Sequence, residues 1–209
     1  MKTQRVVFLD LIRMAAILLV ITQHAWSGLR LDEPAAGDVR YIYQELVVMG
    51  VPLFFMLSGA LMLGGKSLPI AQFLSRRLKR LLVPYLLWGT LVYIISAVMH
   101  KYTDVHSAKE ALLHYVPYLL SGKINPSYWY IFVLIGLYLL TPFMQRALST
   151  PRGKRLTQYG LILWFAWLAL RVYYPQFGSI HYYNASAFMY MGFFLCGYYC
   201  VRYLTDERT

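Results

Sequence analysis

The chain has 209 residues, of which 59% are hydrophobic and only 14% charged, where a soluble domain carries about a quarter charged residues. Its 20 Lys and Arg against nine Asp and Glu give a formal net charge of +11. That composition excludes a soluble globular enzyme, and the excess of positive charge reads as membrane topology, with no nucleic acid expected as a partner.

Runs of about twenty apolar residues, long enough to cross a bilayer, fall near residues 8–26, 43–63, 81–99, 128–144, 159–174 and 185–203. The expected fold is all-α, a polytopic membrane helix bundle of about six transmembrane spans. The first run is too long for a signal peptide, carries Asp10 and Arg13, and lacks a small-residue cleavage site, so it is expected to stay in the membrane. Within that run Arg13 and His24 stand eleven residues apart. At about 100° and 1.5 Å per residue they fall within about 20° of one face and about 16 Å apart along it. Asp10 lies within about 60° of both, which completes a polar stripe on an otherwise apolar helix. Ionisable groups in lipid are costly and face a bundle interior or a water-filled path. The stripe is thus the first candidate site, and burial there would favour a neutral His24 imidazole, suited to act as a general base.

Glu45 stands near the start of the second run. If that helix runs antiparallel to the first and beside it, Glu45 lies at the depth of His24 and can orient the imidazole as a triad carboxylate does. Ser58 and Gly59 suit close helix packing; no nucleophile elbow surrounds Ser58. Next comes a compact basic block, Arg76, Arg77, Lys79 and Arg80. Guanidinium forks match phosphate oxygens, and the same charges would serve equally as a positive-inside anchor.

The longest stretch outside the runs is about His100 to Ser127. Residues 108–120 show helical apolar spacing interrupted by Pro117, as in a helix lying on the membrane or capping the bundle. His100, His106, His114 and His181 lie outside the apolar core and read as solvated or interfacial. Aromatic residues near the run ends, including Tyr41, Tyr43, Trp88, Tyr128, Trp129, Tyr173 and Tyr174, read as an interfacial belt. Cys196 and Cys200, four apart with no other cysteine in the chain, read as packing residues, and no metal site is expected.

Lys and Arg number thirteen on the side that holds both tails, the basic block and the 146–155 segment, against five on the other side. The positive-inside rule then makes both termini cytoplasmic.

Four blocks together resemble the acyltransferase family 3 integral-membrane proteins, and in particular the branch that O-acetylates bacterial surface polysaccharides. They are Leu9-Asp10-Leu11-Ile12-Arg13 with its spacing to His24, Phe54-Phe55-Met56-Leu57-Ser58-Gly59, the Arg77 and Arg80 pair, and Trp129-Tyr130-Ile131-Phe132 through Leu137-Tyr138-Leu139-Leu140-Thr141-Pro142. Gly192-Phe193-Phe194-Leu195-Cys196-Gly197-Tyr198-Tyr199 is a looser fifth match. The resemblance implies a membrane O-acetyltransferase that moves an acyl group, usually acetyl, from acetyl-CoA to a hydroxyl of a polysaccharide or its lipid-linked precursor. Acetyl-CoA is a substrate in that scheme, and no permanently bound cofactor is expected. It also implies a catalytic role for His24 and a functional requirement for Arg13, Arg77 and Arg80. Combined with the reading of the residues, the expected site comprises His24 and Glu45 as catalytic groups, Arg13, Arg76, Arg77 and Arg80 on the donor, and Asp10 and Ser58 in support. The expected location is the bacterial inner membrane, among its lipids.

The family typically has about ten spans, so residues 1–209 are expected to form an acyltransferase 3 membrane domain that lacks the last of them, or a fragment that associates with a full-length partner. The competing function is a non-enzymatic transporter or exporter of a sugar or small acid, which would also place charges inside a bundle.

Overall fold

The computed structural model describes residues 7–27, 46–65, 67–99, 101, 105–173 and 187–205. Among them there are seven α-helices and no strands, which is the all-α membrane bundle expected. The helices are α1 (Val7–Ser27), α2 (Gly50–Leu63), α3 (Ile70–Val98), α4 (Ala108–Ser121), α5 (Trp129–Leu148), α6 (Gly153–Tyr173) and α7 (Ala187–Tyr199). A 3-10 turn, Pro126–Tyr128, leads into α5, and α7 runs on as a π-helical segment, Cys200–Thr205.

Four segments have the length and apolarity to cross a membrane: Val7–Ala25, Leu46–Leu63, Ile70–Val98 and Trp129–Leu148. The described parts of all six expected spans are helical, and among the described residues the last two do not reach that standard. In α6, Lys154, Arg155 and Gln158 occupy the first turns and Arg171 the last, which leaves a short apolar stretch between them. In α7 the described α-helical residues number 13, Ala187–Tyr199, before the helix widens.

The described chain forms two compact units. The first contains residues 7–27, 46–65, 144–173 and 188–205. Here α1 packs on α2 where Gly50 meets Ala16, Leu19 and Val20, so closely that a methyl group at Gly50 would lie 2.9 Å from the Leu19 Cβ. On the other side α2 crosses α7 at a reciprocal pair of glycines. Gly59 lies against the backbone of Phe194, and Gly197 against the backbone of Met56. Small residues let two helix backbones touch in this way. Phe194 is fully buried there, and the Phe55 and Tyr190 rings stack beside it with centroids 4.5 Å apart. The indole of Trp164 on α6 lies against Gly192 and donates to the Met189 carbonyl at 3.1 Å. Buried Gln145, in the last turn of α5, donates to the Met62 carbonyl at 2.6 Å. That carbonyl is in the last turn of α2, where it also accepts a long 3.4 Å bond from the Gly65 N–H.

The second unit contains residues 67–99, 101, 105–143 and Ala187. Its 29-residue α3 is about 43 Å long, more than the roughly 30 Å hydrocarbon thickness. Pro84 sits inside it and, lacking an N–H, leaves the Arg80 carbonyl without its helical donor. α4 begins at a capping box: Glu110 N–H donates to the Ser107 hydroxyl at 3.2 Å, and Ser107 N–H to the Glu110 carboxylate at 3.1 Å. It ends at Gly122, whose φ of 71° is left-handed, a conformation open to glycine. Three tyrosines join α4 to α3. Tyr85 and Tyr93 donate to the carbonyls of Leu119 and Ala111, at 2.5 and 2.7 Å, and Thr90 and Tyr115 share a hydrogen bond at 2.6 Å.

The aromatic belt expected from the sequence is therefore divided. Trp88 and Tyr173 are exposed, in keeping with it, whereas Tyr128 packs edge-on against Tyr85 with centroids 5.3 Å apart. Tyr41, Tyr43 and Tyr174 lie outside the described residues.

Candidate functional site

The polar stripe forms on α1 as its spacing requires, because the helix is continuous from Val7 to Ser27. Arg13 Nη1 donates to Asp10 Oδ1 at 3.1 Å, an acidic residue one turn before a basic one, which is the favourable order on a helix. The side chains keep 45% and 30% of their exposure, so the pair contributes well under 1 kcal/mol. Its effect is to hold the guanidinium in one direction.

His24 stands in the last turn of α1 and is exposed. Packing among the described helices does not supply the burial expected of the imidazole. The physical reason is angular. The face of α1 that α2 covers is centred on buried Ala16 and Leu9, and the helical repeat places Arg13, His24 and Asp10 about 60–120° away from Ala16. The stripe therefore runs beside the packed face and not under it. Glu45 lies outside the described residues. Ser58 is half-buried beside Gly59 in the glycine crossing, in accord with a packing position.

In the second unit, Arg76, Arg77, Lys79 and Arg80 all lie within α3. The three arginines fall within about 100° of one face. Residues 81–98 of α3 carry no charge and cover about 26 Å, close to the hydrocarbon thickness, so the arginines stand where the helix leaves it. Arg76, Lys79 and Arg80 are exposed, and Arg77 is half-buried with its guanidinium 5.9 Å from the centroid of the buried Phe73 ring. Sequence reasoning missed Phe73. The signal was there, an aromatic residue four positions before an arginine on one helical face.

The two sets of expected site residues thus belong to different units, the α1 stripe to the first and the arginine face to the second. Their identity as motifs is decided by a comparison. Residues 6–209 match the family described as acyltransferase domain, acyltransferase family 3. The chain belongs to that family. No curated protein and no solved structure shows significant similarity to it. Family membership makes the protein a membrane acyltransferase. It also separates the acyltransferase blocks by their physical use in this chain. The Phe54–Gly59 and Gly192–Tyr199 blocks are the two sides of the α2–α7 crossing, a packing device, whereas the α1 stripe and the arginine face present charged groups to their surroundings.

Of the remaining candidates, His114 is half-buried and its Nδ1 donates to the Glu110 carbonyl at 2.9 Å, while exposed His106 donates its backbone N–H to the Glu110 carboxylate at 2.8 Å. His100 and His181 lie outside the described residues. Cys196 and Cys200 are half-buried free thiols where α7 turns into the π segment. Among the described residues no three of His, Cys, Asp and Glu gather closely enough to hold a metal ion. An apolar groove along α6, lined by Ala166, Ala169, Leu170 and Tyr173, contains none of the expected site residues.

Proposed function

We propose that this acyltransferase moves an acetyl group from acetyl-CoA to a hydroxyl of a surface polysaccharide or its lipid-linked precursor, working in a bacterial inner membrane with both termini cytoplasmic. The observation that carries the reading is the arginine face of α3, with Arg76, Arg77 and Arg80 gathered on one side where the apolar part of the helix begins. Coenzyme A is a polyanion, and planar guanidinium forks at a membrane boundary suit its phosphates. The excess of Lys and Arg on the same side as this face supports a cytoplasmic position, where acetyl-CoA is made.

In this scheme Arg13, oriented by Asp10, serves the donor's pantetheine arm or thioester carbonyl. His24 takes the proton from the acceptor hydroxyl as that oxygen attacks the thioester carbon. The new C–O bond forms, the C–S bond breaks, and coenzyme A leaves as its thiol after receiving the proton. Glu45 completes the proposal as the group that orients the imidazole.

The test is incubation of the purified protein with acetyl-CoA and a lipid-linked glycan, following free thiol release and the mass of the glycan. Thiol release matched by acetyl groups gained on the glycan is the expected result. Failure of the glycan to gain mass while another acyl thioester is consumed would overturn the acetyl assignment. Transport of a sugar without thioester consumption would favour the exporter.

A further inference from the structure

We infer that Phe73 is a positioning residue whose buried ring is the platform that holds the Arg77 guanidinium ready for a donor phosphate. The inference rests on the donor-side reading of the arginine face and goes beyond it by singling out one arginine and naming what orients it.

Four cations crowd five consecutive positions of α3, yet they are not equivalent. Arg76, Lys79 and Arg80 project from the helix exposed, and only Arg77 is half-buried. The helical repeat places Phe73 one turn before Arg77 and about 40° from it. Phe73 is only 4% exposed, and the Arg77 Cζ lies 5.9 Å from its ring centroid. A guanidinium over an aromatic face within about 6 Å is attracted by the ring quadrupole. The attraction draws the guanidinium toward the ring while its N–H donors stay available to a phosphate. The buried Tyr138 phenol, from the part of α5 in the same unit, lies within electrostatic range of Arg77. An arginine already held in place loses less freedom when it forms two hydrogen bonds to a phosphate. Arg76 and Arg80, in exposed positions, supply longer-range attraction that salt screens.

The experiment measures acetyl-CoA affinity, KM and kcat for Phe73→Leu, Phe73→Trp, Arg77→Gln and the Phe73→Leu/Arg77→Gln double variant of the purified full chain. Phe73→Leu should weaken donor binding about two- to fivefold, the factor of an exposed cation–π contact, and raise KM with little change in kcat. Phe73→Trp should retain parental affinity, since indole is the better platform. In the Arg77→Gln background Phe73→Leu should have no further effect on affinity. A Phe73→Leu effect that persists without Arg77 is a packing effect and overturns the inference, as does unchanged affinity when Arg77→Gln alone weakens binding. Should Phe73→Leu fail to fold, loss of affinity in Phe73→Trp overturns it. Unchanged affinity in Arg77→Gln itself would instead overturn the donor-side reading.

Discussion

The reciprocal crossing of α2 and α7 makes a quantitative prediction about two glycines 138 positions apart in the chain. A methyl group on Gly59 would be driven into the Phe194 carbonyl, and one on Gly197 into the Met56 carbonyl. Carbon and oxygen need about 3.3–3.6 Å, so either substitution must push the helices apart by about 1 Å or more. A gap of that size forfeits about a quarter to a half of each dispersion contact along the interface. Overpacking of this kind typically costs about 1–3 kcal/mol. Both glycines contact the same crossing, so whichever substitution opens it makes room for the other. The double variant Gly59→Ala/Gly197→Ala should therefore cost clearly less than the sum of the single variants. Half-buried Ser58 is the control, and Ser58→Ala should change stability by about 0.5 kcal/mol or less. Reversible unfolding in mixed micelles measures all four. Additive costs, or single glycine variants as stable as the parent, would refute a shared backbone contact.

Four further outcomes follow from particular groups. Tyr85 donates to the Leu119 carbonyl at the end of α4, whose other backbone bond is the long 3.5 Å one from the Gly122 N–H, whereas Ala111 is early enough in α4 to accept a helical bond as well. Tyr85→Phe should therefore open α4 more than Tyr93→Phe, by about 1 kcal/mol in hydrogen exchange, and equal effects would contradict that accounting. The Glu110 carboxyl is held below its ordinary value of 4.5, chiefly by the His106 backbone N–H; burial opposes this, and hydrogen bonds from Ser107 add to the lowering. A depressed folded value means that the cap's contribution is fully present above about 4.5 and lost as pH falls through the folded value, so protection of the Ala111 amide should decline in acid and Glu110→Gln should abolish that dependence. His24→Gln preserves size and polarity but cannot act as a base; it should lose transfer about 10²–10⁴-fold with donor binding intact, and parental transfer would end the catalytic assignment. Single cysteines near Lys79 and Lys154 should label only from the cytoplasm and near Lys109 only from outside; the reverse would overturn the proposed orientation.

The chain's own pattern determined the described helices that carry candidate groups. An eleven-residue interval is nearly three whole turns, so Arg13 and His24 had to share a face once α1 formed. The cluster of arginines at 76–80 had to fall within about 100° on α3. The interrupted apolar spacing at 108–120 likewise pointed to α4, Pro117 included. Periodicity states which residues share a face, but it does not say what covers that face. Only the tertiary structure decided that α2 takes the Ala16 side of α1 and leaves His24 exposed, that Gly59 and Gly197 meet, and that Tyr85 and Tyr93 serve α4 instead of the membrane interface. These outcomes turn on contacts between segments far apart in the chain. A glycine, a tyrosine hydroxyl and a histidine each satisfy the local pattern equally well in several packings, and the choice among them is made by the neighbour that arrives.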